Sequence, residues 1–389
     1  MKYPLFACNP RTYDDIKPDG VPYFEYLDLC SSSEASSVRR ILNKWYHKYP
    51  DEEKGEWLSR FKSANESDRW AAYFELYVHS LLISLGYKVT VHPSMPNKKT
   101  RPDFYAEGGE GDSFYLEAKY VQSYSDRDMK ARRTIMSAIE ALRMIGNTGY
   151  FLVVKWDGLP NAEINARSMK KQVETWLNNL DYCADDKVEE NEDLNRNTIS
   201  IEVEGCMFRI TARAYHEFIV GSQNHGIDVE PFEPVPYMRD RLVKALKNKA
   251  GVYGDMGKPY AIAVLSNEVN IDDNNYLEAL FGKRRGSLDL RTGRIMNEMF
   301  VPPALLAIKR GGSYVKRYTR VSAIIGCSQV GFGNIEMGKA WLFCNPWAKY
   351  KIPEEARLRK LDQYNAANNQ VVKTEGLPPC EIIKRAGLG

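Results

Sequence analysis

The chain has 389 residues, of which 43% are hydrophobic and 27% charged, with 54 Lys and Arg set against 51 Asp and Glu for a net charge of +3. That composition suits an ordinary soluble globular protein, long enough for two domains or one elaborated domain, and it excludes a low-complexity chain. So small a net charge excludes binding a polyanion by global attraction, leaving a local basic patch as the only footprint a nucleic acid can have.

The longest apolar runs, Ala261–Leu265 and Gly149–Val154, fall far short of a membrane span. The opening Met1-Lys2-Tyr3-Pro4 begins no apolar leader, so a cytoplasmic location with no membrane partner is expected. Seven cysteines (Cys8, Cys30, Cys183, Cys206, Cys327, Cys344 and Cys380) are scattered without a Cys-x-x-Cys pair. They are expected as free thiols in a reducing compartment rather than as zinc ligands.

In chain order, residues 1–67 form a mostly helical N-terminal region. Ser32 or Ser33 caps a helix running through Val38–Leu42 to Trp45. A stronger helix is expected from about Arg69 to Leu85, capped by Asp68 and ended by Gly86, with a wide apolar face from Ala72, Leu76, Val78, Leu82 and Ile83. Three strands follow at Tyr87–Val91, Pro102–Ala106 and Ser113–Val121, the last two joined by the glycine-rich turn Glu107–Asp112. A helix over about Asp128–Ile145 leads to a continuously apolar strand, Gly149–Trp156, that reads as buried on both faces.

Residues 68–182 thereby make one region, and 183–389 an additional α+β region. Within the latter, residues 184–197 are an acidic loop, and Thr198–Glu204 with Cys206–Ala212 form a hairpin around Gly205. Tyr237–Ala250 is a basic helix, Tyr260–Leu265 a second buried strand, and Asn274–Phe281 a short helix. This second helix-then-strand pair echoes the first, and it either extends the same sheet or begins a separate module. A basic loop is expected at 283–294, late strands at Arg320–Cys327 and Ala340–Cys344, and a partly loose polar tail after Asn345.

Three acids and a lysine carry the chemistry. Glu117 and Lys119 lie two apart on one strand, so both side chains leave the same face. Asp103, at the start of the preceding strand, comes beside Glu117 across the hairpin. Paired carboxylates make a hard, oxygen-rich site suited to Mg²⁺, which polarises a phosphate and activates a water. The Lys119 ammonium then orients that water or stabilises charge developing on the phosphate. Glu75, on the preceding helix, reaches the same metal directly or through water, with Glu66 and Glu107 as alternatives. The Ala118 carbonyl is a further oxygen ligand. The bland alternative is an exposed ion pair on an edge strand.

Pro102-Asp103 followed by Glu117-Ala118-Lys119 resembles the signature of the PD-(D/E)XK nuclease superfamily, and the order helix, three strands, helix, strand resembles its core over about residues 68–157. The resemblance implies an α/β, restriction-endonuclease-like fold whose central mixed sheet is flanked by helices. It implies Asp103 and Glu117 as metal ligands, Lys119 as catalytic lysine and Glu75 as auxiliary acid, with Mg²⁺ as cofactor and Mn²⁺ able to substitute. Gln122 matches a glutamine found in some branches.

Two basic clusters flank the motif. Lys98, Lys99 and Arg101 precede it, while Arg127, Lys130, Arg132 and Arg133 open the next helix; both are candidates for phosphate contacts. A third cluster, Arg239, Arg241, Lys244, Lys247 and Lys249, reads equally well as a solvated helix face. Tyr120 and Tyr124 either contact substrate or pack. The expected activity is metal-dependent hydrolysis of DNA, with RNA also open. The expected form is an endonuclease of restriction, phage defence, mobile elements or repair, dimeric if it cuts both strands, with a partner protein as a further expected contact. The rival is a non-catalytic nucleic-acid-binding or assembly protein that keeps the fold.

Overall fold

The computed structural model describes residues 5–7, 10–15, 17, 21–95, 100–122, 126–146, 150–180, 197–214, 227–231, 238–266, 271–289, 294–301, 304–310, 313–333, 335–367 and 370–389. The chain divides into two units, Met1–Ser123 with Met238–Gly389, and Tyr124–Tyr237. The expected regions 68–182 and 183–389 each draw on both units.

The first unit opens with helices α1 (Tyr23–Leu29), α2 (Ser33–Lys48), α3 (Lys54–Phe61) and α4 (Glu66–Ser84), then strands β1 (Lys88–Val91), β2 (Phe104–Glu107) and β3 (Ser113–Val121). The second unit follows with α5 (Asp126–Arg143), β4 (Tyr150–Asp157), α6 (Ala166–Asn178), β5 (Thr198–Val203), β6 (Cys206–Ala214) and β7 (Ile227–Pro231). The first unit resumes with α7 (Met238–Ala250), β8 (Tyr260–Ser266), α8 (Asp273–Phe281), β9 (Lys283–Asp289) and β10 (Arg294–Val301). It then adds β11 (Ala307–Arg310), β12 (Ser313–Lys316), β13 (Ala323–Ser328), β14 (Lys339–Cys344), β15 (Asp362–Ala367), β16 (Gln370–Thr374) and α9 (Pro379–Arg385).

The first unit is built on a mixed eight-stranded sheet in the order β1-β2-β3-β8-β13-β14-β15-β16. Strand β2 runs antiparallel to both β1 and β3, and β3, β8 and β13 run parallel. Alternation sorts the side chains of β3 and β8 to two helical layers. Phe114, Leu116, Tyr120, Ala261, Ala263 and Leu265 join a core with α2, α4 and α9, while Val121, Tyr260, Ile262 and Val264 join another with α7 and α8. The central strand β8 is buried at every position, as a strand covered on both faces must be.

Helix α4 is buried continuously from Ala72 to Leu82, so it is covered all round rather than on one stripe. It starts earlier than expected. Asn65, not Asp68, is its cap, with Oδ1 accepting the Ser67 N–H at 2.8 Å. The chain leaves α4 through Gly86 at φ 93°, a left-handed conformation suited to glycine. Ser32 caps α2 as read.

Three expectations are corrected. The helix and strand at 128–145 and 149–156 do form, as α5 and β4, but β4 lies in the four-stranded sheet β5-β6-β4-β7 of the second unit. The strand beside β3 is β8, reached through α7. Both strands are apolar runs, and the difference lies in their charges. β4 carries Lys155 and Asp157 into solvent, whereas β8 has no charged residue to place. The basic stretch at 283–294, expected as a loop, supplies β9, which pairs with β10 as an antiparallel hairpin. Its Lys-Arg-Arg-Gly start hides the strand pattern because backbone pairing does not require apolar side chains. The described part of the tail after Asn345 is built into the fold: β15 and β16 complete the sheet, and Ile382, Ile383 and Leu388 are core. The indole of Trp45 donates to the Leu388 carbonyl at 3.0 Å, fastening that tail to α2.

The second unit has its own core. Ile135, Ile139 and Leu142 of α5 and Met169, Val173 and Leu177 of α6 pack with Leu152, Val154, Phe208 and Ile210 of the sheet. The expected hairpin is β5–β6, turning at Glu204 and Gly205. Most of the expected acidic loop, 184–196, and the parts of the irregular stretch at 221–226 and 232–236 lie outside the described residues. No helix among the described residues is long and apolar enough to cross a membrane.

Candidate active site in the first unit

The register pairing Phe104 with Leu116 sets Asp103, one residue further back, opposite Glu117. Strand β2 begins only at Phe104, so beyond that point β3 has no antiparallel neighbour on this edge among the described residues. The Tyr115 N–H bonds the Pro259 carbonyl on the β8 side, so the alternate residues Leu116 and Ala118 turn their backbone groups toward β2. The Ala118 N–H meets Asp103 Oδ2 at 2.7 Å. The Ala118 carbonyl leaves the strand on that same edge.

Glu117 is only 2% exposed. One of its oxygens accepts from the Lys249 ammonium near the end of α7, and the other from the Tyr253 hydroxyl at 2.5 Å. Tyr253 also reaches the Arg101 carbonyl at 3.0 Å, tying the segment before Asp103 to the turn after α7. A carboxylate this buried requires such partners, because an isolated buried charge costs several kcal/mol.

Glu75 is 7% exposed and is held from the other side. Arg60 of α3 grips it with both guanidinium nitrogens, Nη1 to Oε1 at 2.6 Å and Nη2 to Oε2 at 2.5 Å. Burial works against the charge on Arg60, yet the hydrogen bonds and charge of Glu75 hold its pKa above the ordinary value. One turn on, His79 is buried between the rings of Tyr49 and Phe104, and burial pushes its pKa down to about 4, so it is neutral at physiological pH.

The acids feel one another. Burial first, then the charges of Glu117 and Glu75, raise the Asp103 pKa well above the ordinary carboxylate value, against the opposing pull of the Ala118 N–H and Lys249. Lys119 shares the Glu117 face and is half-buried; burial and the nearby Lys249 lower its pKa, while Glu117 and Asp103 act in the opposite direction. The result is a cluster of buried acids with two lysines beside it. Tyr120 packs, stacking on Trp70 with ring centroids 5.8 Å apart.

No family model matches the chain, nor does any curated protein or solved structure.

All four motif residues lie in one unit, Glu117 and Lys119 on β3, Asp103 just before β2 and Glu75 on α4. Glu75, Asp103 and Glu117 are not gathered so that an oxygen of each lies within 4.8 Å of the others; among the described residues Glu53, Glu56 and His92 are. In that group His92 Nδ1 is 3.0 Å from Glu53, and Glu56 pairs with Arg60 at 3.2 Å, so it adjoins the Glu75 pair through Arg60. The donors of the motif are nonetheless oxygens of the kind a hard divalent cation takes. The ammonium on Glu117 shows that this carboxylate accommodates a cation.

The basic candidates are dispersed. Arg101 is exposed; Lys98 and Lys99 lie outside the described residues, as do Tyr124 and the side chain of Arg127. Lys130 and Arg133 are exposed and Arg132 half-buried, all on α5 of the second unit. Gln122 is half-buried, and its carbonyl accepts from Arg241 at 3.2 Å.

The motif did not reveal Arg60, Lys249 and Tyr253. Helical spacing held a signal for two of them. Leu242, Leu246 and Lys249 stand at i, i+4 and i+7, which puts Lys249 on the buried stripe of α7 rather than on the face of exposed Lys244 and Lys247. Arg60 likewise lies three residues after buried Trp57.

Proposed function

We propose that the protein is a divalent-metal-dependent nuclease acting on DNA. The observation that carries this reading is Asp103 opposite Glu117, with Lys119 on the same face of β3 just past the end of its pairing with β2, and Glu75 on the helix α4 packed behind the sheet. It is supported by the order of elements around the motif, which is α4, β1, β2, β3 and then the crossover α7 to β8. That order resembles the restriction-endonuclease-like core, with the second unit inserted between β3 and α7.

Asp103, Glu117, the Ala118 carbonyl and Glu75 (directly or through water) would hold Mg²⁺ or Mn²⁺, which supplies polarisation of the scissile phosphate and acidification of a water. Lys119, on the same face as Glu117, orients the nucleophilic water or stabilises charge on the phosphate. Arg60 fixes the Glu75 rotamer with a planar two-point grip. Arg101, beside Asp103, is placed to meet a backbone phosphate. Cutting both strands of a duplex calls for two such sites, hence a homodimer.

A second reading, a nucleic-acid-binding protein without catalysis, draws on a specific observation. Glu75 and Glu117 are already neutralised by Arg60 and Lys249, as in a structural ion-pair network. Incubation of supercoiled, linear and single-stranded DNA, and of RNA, with Mg²⁺, Mn²⁺ or EDTA separates the two. Metal-dependent cutting by wild type that disappears in folded Asp103→Asn and Lys119→Ala supports the nuclease. Binding without cutting in wild type and both variants supports the second reading.

A further inference from the structure

Each oxygen of Glu117 already carries one donor. Lone pairs remain on both oxygens, but an ammonium and a divalent cation on one buried carboxylate repel each other, so the two cations compete for it. The two donors are not equivalent. Tyr253 is buried, and its hydroxyl is also fixed on the Arg101 carbonyl. The Lys249 side chain is 30% exposed, and its ammonium sits on a flexible four-carbon stem with a route to solvent. Lys249 also lies in the last turn of α7, where the helix dipole favours a cation both on and off the carboxylate.

Resting on the nuclease reading, we propose that Lys249 is a built-in counter-ion that a divalent cation must displace from Glu117, making α7 a latch on the site. Without a cation, Glu117 is a buried charge; with Lys249 in place it is neutralised, and the acid pair is kept from spreading apart or drawing in a water shell. Exchange of the ammonium for a metal would free the Lys249 head toward solvent, near Lys119. Lys249 acts through Glu117 and is a positioning residue. Glu75 has no such latch, because the two-point Arg60 fork has no single bond that can be traded.

Mn²⁺ binding, read by the paramagnetic resonance of the free ion and by calorimetry, tests this without any substrate. Lys249→Met should bind Mn²⁺ about tenfold more tightly than wild type, since one ion-pair competitor is gone. Lys249→Arg, which keeps a cation on Glu117, should bind no more tightly than wild type. In unmodified protein, Mn²⁺ should raise acylation of the Lys249 amine, measured by peptide mass spectrometry, so the test does not depend on the folding of a variant. Equal or weaker Mn²⁺ affinity in folded Lys249→Met, or Lys249 labelling unmoved by Mn²⁺ that does bind, overturns the latch. If Asp103→Asn still abolishes Mn²⁺ binding in that case, the nuclease reading stands alone. No Mn²⁺ binding by wild type or Lys249→Met overturns both.

Discussion

Glu75 and Glu117 approach the same edge of β3 from different layers, and both are buried carboxylates with a cation attached. Their surroundings differ in kind. The α3–α4 side closes Glu75 with a planar guanidinium that satisfies both oxygens at once and lies between Glu56 and Glu75. The β3–α7 side closes Glu117 with two separate groups, an ammonium and a phenol, from a helix end and the turn after it. A fork is a fixed brace and a point charge is a removable one. On the nuclease reading proposed above, the contrast points to the Glu117 side as the one whose cation a metal can replace, and to the Glu75 side as the braced one.

The largest effect should fall on catalysis. Lys119→Ala should lower the rate of DNA cleavage by about 10²–10³-fold with little change in fold, measured as single-turnover cutting of plasmid, since it removes one charge-stabilising group. Equal rates in variant and wild type would remove the reactive role of the β3 face. Next comes stability. Arg60→Ala leaves Glu75 buried without its cation and should cost about 3–5 kcal/mol in chemical denaturation. Arg60→Lys should recover only part of this, because the fork is lost. A full rescue by lysine would make the two regions alike.

Tyr253→Phe removes one hydrogen bond to a charged acceptor while leaving Lys249 in place, and should cost about 1.5–3 kcal/mol on the same scale.

Asp103 gives a pH signature. Its folded pKa lies above the unfolded value, so the folded state binds the extra proton; stability is highest below the ordinary carboxylate value of 3.8 and falls as pH rises through the folded pKa. Asp103→Asn should therefore raise the melting temperature at pH 7 relative to wild type, and the gain should shrink toward pH 4. A gain that grows toward low pH would contradict the buried, acid-crowded placement. The smallest effect belongs to Arg101→Ala. It should weaken DNA binding nearly uniformly across sequences and reduce the salt slope by about one, read from binding isotherms at several salt concentrations.

Local pattern was enough for much of this. The alternation in Ser113–Val121, the glycine turn before it and the apolar helix ahead of it place Glu117 and Lys119 on one face, with Asp103 across the turn. Those features depend on neighbours within about twenty residues, where strand period and turn chemistry act directly. The cap of α4 was misplaced because Asn65 and Asp68 are both good capping residues three positions apart, and the packing of the helix decides between them.

What the sequence by itself determined is the identity and spacing of the acids and the lysine, the hairpin that pairs them, and the full burial of β8; β4, read as buried on both faces, instead exposes Lys155 and Asp157. What only the tertiary structure decided is which of those two apolar strands lies against β3, and which cations lie against the acids. The pairing of β3 with β8 and that of Glu117 with Lys249 join residues more than a hundred positions apart, whereas Arg60 and Glu75 are fifteen apart. Two helix–strand pairs of similar pattern compete for the same place there. Burial of the whole face of β8 settles it, an outcome summed over the entire core rather than written in any local period.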